Sequence, residues 1–345
     1  MGLREEIREQ PGVVARLIAD RRETIEEIAA VLRARDVDEI VVAARGTSDH
    51  AAVYAQYVLG ARLEMRVALA APSLVTLYGV QPRVARSAVL GISQSGESRD
   101  VVAVVAAARR QGAPTIAITN SPDSPLARAA DHAIDLAAGP ERAVAATKTY
   151  TAELAAIALL GVALGPPDAG AETSLGNLPA AMAAALEVEA AAEKAAASRS
   201  AIAGAIVLGR GFEYATAREW ALKLKELARV LADPYSSADF QHGPLALLEP
   251  GFPVFAVAPS GPPADDLIAL LARLRADFGV DLLVVSDRDD ALGLGVGLRL
   301  PPGVPDWLMP IVSILPAQLV AYHLAGARGL DPDSPRHIRK VTLTR

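Results

Sequence analysis

The segment Ala88-Val89-Leu90-Gly91-Ile92-Ser93-Gln94-Ser95-Gly96-Glu97-Ser98 decides how this chain folds. Its first half is a short, wholly apolar run of the kind that forms a strand buried on both faces. Its second half is a hydroxyl-rich loop, and the residues after it carry a helical pattern through Arg109. A strand feeding a helix through a short polar loop is half of a βαβ unit. Backbone N–H groups at such a helix start are unpaired and carry positive partial charge, which favours an anion. The crevice beyond the carboxyl ends of parallel strands is also where open α/β sheets bind ligands. Ser93, Ser95, Ser98 and Gln94 add donors without adding charge, and Gly96 lets the backbone come close. An ordinary helix cap would need only one Ser.

Working outward, the same grammar repeats. Glu39–Ala44 reads as a strand running into Arg45-Gly46-Thr47-Ser48 and a helix from about Asp49. Pro114–Thr119 and Ala133–Leu136 read as further strands. The second half repeats the order with Ala205–Leu208, Val254–Ala258 and Asp281–Val285, the first leading through Gly209-Arg210-Gly211 and the second through Pro259-Ser260-Gly261. Gly46 and Gly211 are separated by 165 positions, and so are Ser95 and Ser260. A shared offset of this length indicates duplicated domains and not a solenoid. The expected class is therefore α/β: two duplicated domains, each a doubly wound, flavodoxin-like parallel sheet flanked by helices. The expected boundaries are a helical arm over 1–34, a first domain over 35–168, a connecting helix over 169–200, a second domain over 201–329 and a tail over 330–345.

Composition narrows the function. The chain has 345 residues, 52% of them hydrophobic but only 4% aromatic, so its core is aliphatic. Net charge is −6 with no basic stripe, which disfavours nucleic acid as a partner. The absence of cysteine excludes disulfides, thiolate metal sites and a cysteine nucleophile. No cluster of metal ligands is visible, and no metal or cofactor is expected. The charged start, Met1-Gly2-Leu3-Arg4-Glu5-Glu6, has no apolar signal core; a cytoplasmic protein is expected. Trp307–Ala327 contains no Asp, Glu, Lys or Arg and is long enough to span a bilayer. Its Pro310, Pro316, Gln318 and His323 favour one or two buried helices and no membrane partner. Neither a P-loop nor a dinucleotide fingerprint is present; Gly293-Leu294-Gly295-Val296-Gly297 lacks the required context.

Other motifs are weaker alone. Lys223 and Glu226 stand three apart on one helix face, which by spacing reads as a surface ion pair. His242, in His242-Gly243-Pro244, is a loop histidine open to an acid/base role or to none. Pro335-Arg336-His337-Ile338-Arg339-Lys340 reads as solvated charge.

Taken together, Arg45-Gly46-Thr47-Ser48, the Ser93–Ser98 loop, Thr147-Lys148, Leu222-Lys223-Leu224-Lys225-Glu226, His242-Gly243-Pro244-Leu245-Ala246 and Pro335-Arg336…Lys340 resemble the double-SIS-domain phosphosugar isomerases, in particular the isomerase half of glucosamine-6-phosphate synthase. The resemblance runs from about residue 25 to the end. It implies that Thr47, Ser48, Ser93, Gln94, Ser95 and Ser98 bind phosphate and sugar, and that Val144 and Ala146 line the sugar pocket. It implies Glu226 as the base moving a proton between carbons 1 and 2, Lys223 as its assistant, His242 as the ring-opening residue and Lys340 as the tail lysine near the carbonyl end. It also implies a homodimer, because His242 would reach the neighbouring subunit's site; the very apolar Trp307–Ala327 run fits such a contact. Two positions depart from the pattern: Arg45 stands where a small residue is common, and Ala146 replaces a sugar-contacting serine.

No glutaminase domain is expected ahead of the segment, and without cysteine in these 345 residues its nucleophile is missing, so no ammonia is expected from glutamine by this chain alone. The resemblance then implies a deaminase-isomerase that converts glucosamine 6-phosphate to fructose 6-phosphate and ammonia. A plain ketose/aldose isomerase, a deglycase of an amine-conjugated fructose phosphate and a non-enzymatic sugar-phosphate sensor are the alternatives. The intact Glu226, His242 and Lys340 argue against the sensor.

Overall fold

A computed structural model describes residues Gly2–Lys340. Ten strands lie within it: β1 (Glu39–Ala43), β2 (Arg66–Leu69), β3 (Ser87–Ile92), β4 (Thr115–Thr119), β5 (His132–Asp135), β6 (Gly204–Gly209), β7 (Leu231–Ser236), β8 (Pro253–Val257), β9 (Asp281–Ser286) and β10 (Val296–Arg299). They form two five-stranded sheets, ordered β2-β1-β3-β4-β5 and β7-β6-β8-β9-β10. Every pairing is parallel. The two orders are identical, as the duplication requires. In each sheet the chain steps outward to one edge and then returns past its starting strand. The switch points therefore fall between β1 and β3 and between β6 and β8, where doubly wound folds hold ligands.

The central strands are buried because helices cover both faces. β3 and β4 are buried at every residue. In the first unit Val89, Val101, Val105, Ala117 and Leu126 share one core. In the second, Leu208, Val254, Leu271, Leu282 and Val284 do the same. The first unit comprises residues 12–141 and 148–177 with Arg339 and Lys340; the second comprises 2–11, 142–147 and 178–338. Residues 2–11 and the 142–147 loop thus belong to the unit of the second sheet, an exchange that a linear division of the sequence does not anticipate.

Three strands were not anticipated, and each is a polar or short edge. β2 is a four-residue strand. β7 contains Pro234, which cannot donate to a ladder and is tolerated at an edge. β10 arises within the glycine-rich 293–297 run. There a Cβ on Gly295 would lie 2.4 Å from the Leu282 carbonyl oxygen, so glycine permits the close approach of β10 to β9. The expected single connecting helix is instead two, Ala169–Ala185 and Glu189–Ala197, separated by a 3₁₀ turn at Leu186–Val188.

The apolar run near the end forms one helix, Met309–Ala327, long and apolar enough to cross a membrane but 83% buried over its most apolar stretch. It packs on the helices Glu213–Ala228 and Glu189–Ala197. Its apolar surface is satisfied inside its own unit, so it lends no support to a subunit contact, contrary to the expectation from sequence.

Candidate active site

The serine loop lies at the carboxyl end of β3, on the switch point of the first sheet. Gly96 has φ +65°, and a Cβ there would sit 2.0 Å from Ser124 Oγ. Glycine is thus required by both conformation and space. The Gly96 N–H reaches the Ser93 carbonyl at 3.1 Å, and the Ser95 hydroxyl accepts the Glu97 N–H at 3.3 Å. Gln94 fixes the loop to the next strand, its carbonyl accepting the Asn120 N–H at 3.0 Å. Ser98 stands immediately before the helix Arg99–Arg110, and its hydroxyl donates to Asp100 rather than capping the helix. The expected loop is therefore a folded backbone cradle, with Gln94, Ser95 and Ser98 partly open and Ser93 buried.

Thr47 and Ser48 open the helix Thr47–Leu63 after β1, across the same switch point. Ser48 is buried and donates to Glu153 at 2.8 Å; Thr47 is partly exposed. Arg45 forms an ion pair with Asp100 at 2.6 Å. Burial of Asp100 raises its pKa, but the hydrogen bond and charge of Arg45, with the Ser98 hydroxyl and the Val101 N–H, outweigh burial and hold the carboxyl below its ordinary value.

Lys340 is not solvated tail charge. Its Nζ lies 2.6 Å from a carboxylate oxygen of Glu141, whose side chain is fully buried. Glu141 also accepts the Thr149 N–H and hydroxyl, which ties it to the start of the helix Lys148–Leu164. Glu141 and Gln94 border one open cleft with Asn120, Ser121 and Gly139. The serine loop and the anchor of the tail lysine are thus neighbours within the first unit.

In the second unit, the helix Glu213–Ala228 carries Lys223 and Glu226. Its packing against β6, β7 and the helix Met309–Ala327 buries most of its circumference. The Lys223 side chain is 1% exposed, so the surface ion-pair reading fails. Lys223 bridges Glu226 at 2.5 Å and Glu219 at 3.2 Å; the Glu219 side chain is fully buried, and that of Glu226 is 22% exposed. Burial disfavours the ammonium, yet the two carboxylates outweigh it and push the Lys223 pKa up. Lys223 is therefore a fixed cation, and Glu226 is the member of the triad open to a ligand. His242 lies exposed in the loop after the turn Ser237–Phe240, its N–H bonded to the Asp239 carbonyl at 3.0 Å. Val144 and Ala146 alternate with buried Ala143 and Ala145 and stay half-exposed. The buried Glu6 carboxylate accepts the Arg142 and Ala143 N–H groups and holds that loop in place.

The SIS domain family matches this chain twice, over residues 34–163 and 204–328. The chain belongs to the SIS-domain family. Both copies coincide with the two sheets described above. Among the relatives of this SIS chain, the isomerizing glutamine–fructose-6-phosphate aminotransferase of Thermococcus kodakarensis is 35% identical over 97% of it. The SIS chain spans 57% of that relative's length. The C-terminal domain of the glucosamine-fructose-6-phosphate aminotransferase of Francisella tularensis superposes with a TM-score of 0.86 at 29% identity, covering 96% of this chain and 97% of that one. A candidate phosphosugar isomerase of Silicibacter pomeroyi superposes with a TM-score of 0.85 at 34% identity, covering 96% and 100%. Three residues beside the candidate residues, Asp100 and Glu141 in the first unit and Glu219 in the second, were not singled out from sequence. Each is a buried carboxylate facing a cation from a distant or helical neighbour, and an isolated Glu or Asp carries no local signal for that.

Proposed function

We propose that this chain binds a hexose 6-phosphate and moves a proton between its carbons 1 and 2. The observation that carries the reading is the buried Lys223 holding the half-open Glu226 carboxylate, in a chain whose serine loop occupies a switch point. In this reading the serine loop and the N-terminus of the helix Arg99–Arg110 take the phosphate, which is remote from the reacting carbons and supplies binding energy for orientation. His242 assists ring opening, and Lys340, set by Glu141, stands near the carbonyl end. Glu226 takes the carbon-2 proton and returns it to carbon 1.

The favoured substrate is glucosamine 6-phosphate. Proton transfer turns the 2-amino aldose into a fructose imine; one water then adds at carbon 2 and ammonia leaves, giving fructose 6-phosphate. The SIS relatives named for aminotransfer support an amino sugar. Incubation with glucosamine 6-phosphate should release ammonia and fructose 6-phosphate in equal amounts. Ketose formed from glucose 6-phosphate without ammonia would replace this with a plain isomerase. Binding of phosphosugars with no product from any would contradict an enzyme and leave a sensor.

The exposed loop position of His242 supports its donation to a neighbouring copy in a homodimer. Mixing inactive Glu226→Gln with inactive His242→Ala under conditions of subunit exchange should restore activity, approaching half per mixed dimer, since one of its two sites carries neither lesion. Activity staying at parental level, with exchange shown separately, would mean each site is built within one chain.

A further inference from the structure

One of the two positions that depart from the resemblance, Arg45, sits beside the serine loop. Arg45 follows β1, on one side of the switch point, and its Nε is bound to Asp100 on the other side, in the first turn of the helix after the loop. Asp100 has a fully buried side chain. A carboxylate in that turn opposes an incoming phosphate, and Arg45 compensates its charge. The guanidinium has more to give. Its side chain remains 47% exposed, and among the described residues its terminal Nη1 and Nη2 have no hydrogen-bond partner. Asp100 thus fixes a planar, permanently charged fork by one nitrogen and leaves the pair suited to an oxyanion uncommitted.

The duplication gives a parallel. Arg210 stands 165 positions after Arg45, at the switch point of the second sheet. There it lines a cavity with Pro259, Ser260 and Gly261, which are the counterparts of Gln94, Ser95 and Gly96. A side chain at this position thus reaches the crevice of the second copy.

We propose that Arg45 is a further substrate-binding residue, its two terminal nitrogens taking oxygens of the phosphate monoester that the serine loop cradles. The proposal rests on the phosphosugar reading above. It makes phosphate recognition here depend on a formal charge as well as on neutral hydroxyls and backbone N–H groups. Sugars lacking the phosphate dianion gain nothing from it, so Arg45 sharpens discrimination against unphosphorylated sugars.

The test compares wild type, Ser95→Ala, Arg45→Ala, Asp100→Asn and the double variant Arg45→Ala/Asp100→Asn. Each is titrated with inorganic phosphate by calorimetry and assayed for KM with glucosamine 6-phosphate. The double variant guards against Arg45→Ala unfolding by leaving Asp100 buried and unpaired. A charge-assisted contact predicts phosphate binding about ten- to hundredfold weaker in the double variant than in Asp100→Asn, with KM raised in step and kcat little changed. Equal binding in those two variants would overturn the proposal and reduce Arg45 to a partner of Asp100. If wild type does not bind phosphate, or Ser95→Ala binds as wild type does while Arg45 variants do not, the serine-loop reading fails, which is a separate result.

Discussion

Glu226→Gln is expected to lower kcat by about 10²–10⁴-fold while leaving KM for the sugar phosphate and thermal stability close to wild type. The amide keeps the shape of the side chain and can still contact Lys223, but it cannot accept the carbon-2 proton. The structure explains why this residue and not its neighbour is the exposed one. Lys223 is pinned between Glu219 and Glu226, and only Glu226 is open to solvent. A variant with kcat within a few-fold of wild type would remove Glu226 as the base. Raised KM at constant kcat would instead make it a binding residue.

Lys223→Met should act mainly on stability. Deleting the cation takes an ion-pair partner from the fully buried Glu219, and breaking a buried pair from one side costs about 3–5 kcal/mol. Chemical denaturation should show the loss as a lower midpoint with an unchanged slope. Pairing the change with Glu219→Gln should recover much of it, because the buried carboxylate charge is then gone. The activity of the double variant separates the roles of Lys223: restored stability with low kcat means that the cation positions Glu226 for catalysis. Restored stability with full kcat means that Lys223 is only structural.

The fold was legible because its central strands are long apolar runs, and because the segment at 88–98 states strand, loop and helix in one reading. The common 165-residue offset then extended that reading to the second sheet. What escaped it were edges and charges. β2, β7 and β10 are edge strands with polar, proline or glycine content, so they lack the apolar signal that burial imposes on β3 and β4. Lys223 and Lys340 were read as solvated because spacing reports which residues share a face, not what covers it. The helix Glu213–Ala228 is covered nearly all round, and the partner of Lys340, Glu141, lies 199 positions away in sequence. Arg45 stood out only as a departure, and its meaning came from Asp100, a contact across the switch point.

The central claim is a proton shift on a hexose 6-phosphate. Its most direct measurement is NMR of glucosamine 6-phosphate and of fructose 6-phosphate incubated with the protein in deuterated water. Isomerisation through Glu226 predicts deuterium entering at carbon 2 of the aldose and carbon 1 of the ketose, at a rate that Glu226→Gln reduces by about 10²–10⁴-fold. Phosphosugars that bind, as shown by protection against thermal unfolding, yet exchange no carbon-bound proton at all would contradict it.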